Sequence, residues 1–287
     1  MTNALEIKNL RKIFKNYTLG DISFTLPSGY IMGFIGPNGA GKTTTIKLIL
    51  NMLCKDGGSI SVFGKDNITD ECEIKERIGV VMDSPFYVDD WNISDVEKAL
   101  APFYMRWDKN KFSKLLLDFS LDPKKKVKEL SRGMKMKLMI AVALSHDADL
   151  LILDEPTSGL DAVARNDLMD ILSGFIADEN KAILFSTHIT TDLEKIADYI
   201  TFIDGGNIIY SDTKDNLMEK YLTVKGGLGV LTAEQKKKVI GYREYGVGFD
   251  GLLDSADLRE LPKSVIAEPS SLDEIVVHFN MEGKAHE

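Results

Sequence analysis

Apolar and polar residues alternate through "LEIKNLRKIF" and "GDISFTLPSG" near the N-terminus, a period of two that predicts paired strands joined by a turn. "YIMGFIG" is instead a short unbroken apolar run, the pattern of a strand covered on both faces. The helical pattern of "KTTTIKLILNML" follows it directly and stops at the paired glycines of "CKDGGS". "SISVFGKD" and "RIGVVMD" predict further strands. From Ser84 to about Asp147 the period becomes mainly helical, in "ISDVEKALAPFYMRW", "NKFSKLLLDFSL" and a segment around "LSRGMKMKLMIAVAL". "DLLILDEP" and "KAILFSTH" return to the buried-strand pattern, each followed by helical periodicity. "YITFIDGGNIIYSD" predicts a hairpin about Gly205 and Gly206. Beyond about Lys220 the elements shorten, ending in "SLDEIVVHFN", a capped amphipathic helix. Strands alternating with helices imply an α/β fold on a mostly parallel sheet, residues 1–220, with a small α/β appendage at 221–287.

One helix start breaks the usual rule. First turns favour acidic residues, because their unpaired N–H groups carry partial positive charge. "LSRGMKMK" instead places Arg132, Lys135 and Lys137 there, with a glycine at Gly133. Either an anion binds at this end or the side chains reach into solvent. Solvent exposure is the simpler account of the upstream lysines Lys124, Lys125, Lys126 and Lys128.

Composition narrows the picture only a little. With 44% hydrophobic and 28% charged residues, the chain has the make-up of an ordinary globular protein. A net charge of −9 argues against nucleic acid as the main partner. Cys54 and Cys72 form no metal-ligand spacing, which fits reduced thiols. No stretch approaches the ~18 apolar residues of a membrane span, and the N-terminus has no signal-peptide pattern, so any work at a membrane requires docking on another polypeptide.

Chemistry enters with "GPNGAGKT". Gly36, Pro37, Asn38, Gly39, Ala40, Gly41, Lys42 and Thr43 fit a phosphate-binding loop, set between a buried strand and a helix as that mechanism requires. Its backbone N–H groups cradle phosphate, Lys42 reaches the outer phosphates, and the Thr43 hydroxyl can ligate Mg²⁺. Asp154 and Glu155 end the strand in "LLILDEP", at the sheet edge where ligands bind. An aspartate there holds metal or its water, and an adjacent glutamate can polarise an attacking water.

The order "GPNGAGKT", "LSRGM", "LLILDEP", "SGLD", "STH" resembles the nucleotide-binding subunit of ABC transporters over about residues 4–215. The resemblance implies a P-loop NTPase core with an antiparallel β-subdomain and an inserted helical subdomain at about 84–147. It implies ATP and Mg²⁺ as ligands, with Phe14 stacking on adenine and Gly36 to Thr44 forming the phosphate loop, Thr44 included. Asp154 then becomes the metal-holding aspartate, Glu155 the catalytic glutamate and His188 the switch histidine. Asp161 would sense a partner subunit. Ser131 and Gly133 would face the γ-phosphate bound by a second ATPase subunit, which answers the odd helix start with an anion. Arg132 and Met134 depart from the usual LSGGQ wording. Asp83 stands where relatives carry glutamine; its carboxylate is expected to reach the metal, the alternative being that it merely caps the turn into "SPFY". The implied activity is ATP hydrolysis driving export through a separate permease, on the cytoplasmic face of the membrane. The second ATPase is an identical or related chain, and no nucleic acid is expected. A soluble relative acting on nucleic acid or ribosomes is the alternative reading. The permease would dock on the segment from about Ser84 to Lys111.

Overall fold

The computed structural model describes residues 2–285, so the outermost expected limits, Met1 and Glu287, lie outside the described residues. Strands β1 (Asn3–Ile13), β2 (Thr18–Pro27) and β3 (Ile31–Ile35) lead to helix α1 (Lys42–Ile49). Next come β4 (Gly57–Val62), β5 (Lys65–Asp66), α2 (Glu71–Arg77) and β6 (Ile78–Val81). A helical stretch holds α3 (Ile93–Leu100), α4 (Lys109–Asp118) and α5 (Arg132–Ser145). The chain continues through β7 (Leu150–Asp154), α6 (Ala162–Ile176), β8 (Ala182–Thr187) and α7 (Thr190–Ile196). The hairpin β9 (Tyr199–Asp204) and β10 (Asn207–Thr213) precedes α8 (Lys214–Lys220). The last elements are β11 (Tyr221–Gly226), α9 (Ala233–Lys238), β12 (Ile240–Tyr245), β13 (Gly248–Asp254), β14 (Ile266–Pro269) and α10 (Leu272–Ala285).

Three sheets result. The central one runs β10-β9-β3-β8-β7-β6, parallel except at β10. Every residue of β3, β7 and β8 is buried, as their unbroken apolar runs predict. A four-stranded antiparallel sheet, β2-β1-β4-β5, packs on one side with α1, burying Leu5, Ile7, Ile22 and Phe34. The helical stretch covers the other side through Phe112, Leu116, Met136 and Leu138. The third sheet, β12-β13-β11-β14, has its own small core around Val224, Phe249 and Leu253.

Two helices end earlier than periodicity predicts. The expected helix through "APFYMRW" stops at Leu100; a single 3₁₀ turn containing Pro102 follows, and Tyr104 is extended. Proline's missing N–H cannot continue an α-helical ladder. α1 stops short of Leu53 because Asn51 turns left-handed (φ 53°), with the Met52 N–H closing on the Lys47 carbonyl at 2.8 Å.

α10 starts with the capping pair its sequence announces: the Glu274 carboxylate accepts from the Ser271 N–H at 2.9 Å, and the Ser271 hydroxyl accepts from the Glu274 N–H at 3.2 Å. The helix then binds α7. Glu194 Oε1 accepts the Leu272 N–H at 2.7 Å, and the Thr190 hydroxyl donates to Asp273 at 2.8 Å. Phe279 packs on Phe202 and Tyr221, which joins the third sheet to the central one.

Candidate active site

β3 ends in a loop that winds straight into α1. Gly41 caps that helix at φ 114°, contributes no side-chain cap, and is followed by no acidic residue in the first turn. The first amides of α1 are therefore left to an external acceptor. A side chain at Gly41 would strike the Tyr17 hydroxyl, 2.5 Å from where its Cβ would sit. Tyr17 earns that closeness by donating to the Ala40 carbonyl at 2.9 Å. The Lys42 amine is nearly buried and donates to the carbonyls of Gly36 (2.7 Å) and Pro37 (3.3 Å), with Glu155 Oε1 at 3.6 Å. Burial lowers the Lys42 pKa, and the Glu155 and Asp154 carboxylates partly offset that.

The carboxyl ends of β7 and β8 lie side by side and set the acids. Asp154 is 2% exposed. Its two oxygens accept from the hydroxyls of Thr43 (2.8 Å) and Ser186 (3.0 Å). Burial raises its pKa, and the two hydroxyls oppose that rise. Glu155 has a left-handed backbone (φ 51°) and returns its N–H to the Ser186 carbonyl at 2.9 Å. Its second oxygen lies 2.8 Å from His188 Nδ1, which donates as the N–H tautomer. One carboxylate thus joins Lys42 to His188.

Phosphate loop, β6 end and β7 end meet around a cavity of about 310 Å³, lined by Pro37, Asn38, Gly39, Gly41, Lys42, Thr43, Thr44, Asp83, Asp154 and Glu155. Gly36 and Ala40 belong to the same loop but not to the lining. A hydroxyl beside a buried carboxylate suits a hard cation. Among the described residues no cluster of three or more His, Cys, Asp or Glu side chains could hold a metal unaided. The donor set therefore fits a cation that completes its shell with phosphate and water, as Mg²⁺ does.

Five further expected residues lie off this lining: His188, which is joined to it through Glu155, and Phe14, Ser131, Gly133 and Asp161. Phe14 is exposed at the β1–β2 turn, its ring centroid 6.1 Å from that of Tyr17, which links the turn to the phosphate loop. Ser131 caps α5 by accepting from the Met134 N–H at 3.3 Å, and Gly133 lies in the helix's first turn. Asp161 caps α6, accepting from the Ala164 N–H at 2.8 Å. Two of the three cations at the start of α5 meet protein carboxylates rather than only solvent or an outside anion. Arg132 pairs with Asp83 at 2.5 Å and Lys137 with Asp167 at 3.4 Å. Asp83 lines the cavity, but its carboxylate is engaged by Arg132 and not by Thr43. The upstream Lys126 and Lys128 are exposed, as expected, and reach Asp90.

Tyr17 and Ser186 escaped the sequence reading. Ser186 stands in "STH", a motif read for its histidine, whereas Tyr17 is a lone aromatic in a polar turn and carries no motif.

A glycine loop between a buried parallel strand and a helix, facing a buried carboxylate and a second acid at the sheet edge, defines a P-loop nucleoside triphosphatase. The chain matches the ABC transporter family over residues 19–158. It is 29% identical over 284 residues to the ABC transporter ATP-binding protein YtrB of Bacillus subtilis (strain 168), covering 95% of this chain and 97% of that protein. It is 31% identical over 268 residues to the bacitracin transport ATP-binding protein BcrA of Bacillus licheniformis, covering 88% and 85%. Among solved structures, the ATP-binding subunit of an ABC transporter superposes with a TM-score of 0.69 at 27% identity, over 75% of this chain and 91% of that one. This chain belongs to the ABC transporter family and is an ATP-binding, ATP-hydrolysing subunit.

Proposed function

We propose that this subunit hydrolyses Mg-ATP between two ATPase chains and so drives export through a separate permease. The observation that carries the chemistry is the Glu155 carboxylate, set between Lys42 and His188 next to the Thr43–Asp154 pair. In this reading the phosphate loop, Lys42 and Thr44 bind the triphosphate, and Phe14 offers a ring to the base. Thr43 and Asp154 hold Mg²⁺, which when bound spreads the charge developing on the phosphate oxygens. Glu155 accepts the proton of the attacking water, a task that needs reach more than an unusual pKa. His188 fixes that carboxylate and contacts the terminal phosphate. Ser131, Gly133 and Asp161 act toward the second chain, which their position off the cavity supports. Residues 1–220 form the ATP-binding unit and 221–287 an appendage attached through α10. Export is supported by a relative named Nod factor export ATP-binding protein I, 34% identical over 221 residues. In this reading the chain docks on the cytoplasmic face of the permease; among the described residues no helix is long and apolar enough to cross a membrane.

Glu155→Gln tests the chemistry. That variant should bind ATP normally and turn over at least ~100-fold more slowly, the usual loss for a missing general base. Lys42→Ala should instead lose ATP affinity. Near-normal hydrolysis by purified Glu155→Gln removes Glu155 from the mechanism.

A further inference from the structure

The nucleotide cavity is lined by three carboxylates, Asp83, Asp154 and Glu155, and by one cation, Lys42. That balance is poor for a polyanionic ligand. Glu155 faces Lys42, and Asp154 accepts from neutral hydroxyls. Asp83 is balanced from outside the cavity by Arg132, whose guanidinium donates to Asp83 Oδ1 at 2.5 Å and to Ser158 Oγ at 3.1 Å. Room for this side chain is built in. At Gly159, with φ at 73°, a Cβ would stand 3.0 Å from Arg132 Cδ and 3.2 Å from its Nε and Nη1. The guanidinium therefore packs on the Gly159 backbone, where a Cβ would crowd it and the left-handed φ disfavours other residues, four residues beyond Glu155.

We propose that Arg132 is a positioning residue: it supplies the counter-charge for Asp83 and holds that carboxylate toward α5 rather than toward Thr43 and Asp154. The pair then sets how strongly ATP binding depends on metal. With Arg132 present, Asp83 adds little net charge beside the triphosphate. With Arg132 removed, its full negative charge acts on a ligand of the same sign, and a divalent cation becomes the available neutraliser. Both partners are about half exposed, so solvent and salt screen the effect and keep it moderate. The proposal rests on the reading that this cavity receives the triphosphate.

Calorimetric titration of ATP, once in EDTA and once with excess Mg²⁺, separates the possibilities for the wild type and three variants. Arg132→Ala should weaken metal-free ATP binding about three- to tenfold, and Mg-ATP binding much less. Asp83→Asn, which keeps the side-chain shape, should tighten metal-free binding. The double variant should return close to wild type, because both members of the pair are gone. Equal losses with and without metal, or an Arg132→Ala defect that Asp83→Asn does not reverse, would show that Arg132 only pins the loop at Ser158 and would overturn the proposal. Unchanged metal-free binding in Asp83→Asn overturns it as well, even if Arg132→Ala fails to fold. A wild-type protein that binds no ATP would bring down the underlying cavity reading instead.

Discussion

Asp154 is held as an almost solvent-free carboxyl group between two hydroxyls, with burial raising its pKa against their pull. A raised native pKa means that the ionised form costs the fold some stability. The advantage conferred by the protonated form is complete below the unfolded-state pKa and is lost as pH rises through the higher native value. Asp154→Asn removes that ionisation and keeps the shape. Without nucleotide or metal, the variant should therefore melt above the wild type at neutral pH, and the gap should close as the solution is acidified. Scanning calorimetry across that range checks it, and a gap that widens in acid would contradict the burial argument. Motif residues such as Lys42, Asp154, Glu155 and His188 were legible because each stands in a short local pattern with a chemical meaning. The Arg132–Asp83 pair was not, since its partners lie 49 positions apart and only the folded backbone joins them. The sequence posed the question of cations at a helix start, but the carboxylates that meet them come from other segments.

At the level of elements, the strands of the central sheet were readable from unbroken apolar runs, and α10 from its Ser-x-x-Glu start. Their lateral order was not readable, because nothing local states that β3 lies between β8 and β9. Helix ends were misjudged where a proline or a left-handed asparagine overrode periodicity. The placement of α5 carries a functional consequence. Its first turn, with Ser131 and Gly133, does not line the cavity that holds Lys42 and Glu155. If both belong to one catalytic site, a second chain must bring them together. Sedimentation of Glu155→Gln should accordingly show a largely monomeric protein without nucleotide and a dimer with Mg-ATP, whereas the Lys42→Ala variant should stay monomeric. Identical profiles for Glu155→Gln with and without Mg-ATP would argue against pairing through these surfaces.

At the scale of the whole molecule, an apolar hollow lies away from the nucleotide cavity. Cys72, Glu73, Lys75 and Glu76 of α2 and Phe103–Met105, at the end of the 3₁₀ turn, line a groove of about 590 Å³. Phe103 is 75% exposed and Met105 92%, unusual for such side chains unless another surface covers them. The groove does not depend on loose side chains alone, since Glu76 accepts from the Met105 N–H at 3.1 Å and ties the segment to α2. Its floor is firm too: Tyr104 stacks on the buried His146 ring at 4.0 Å, at the end of α5. A partner pressing here would therefore push on α5, whose other end holds Ser131 and Arg132. In the proposed reading, a permease segment docked in this groove would bear on α5 and so on the ATP site. Phe103→Ser should leave the melting temperature and ATP affinity of the isolated chain unchanged, because the ring contributes little to the folded core. Association with the permease should weaken at least about tenfold, the scale expected when a central apolar anchor is lost. Co-purification of the two subunits from membranes measures this, and full recovery of the complex with Phe103→Ser would place the docking surface elsewhere.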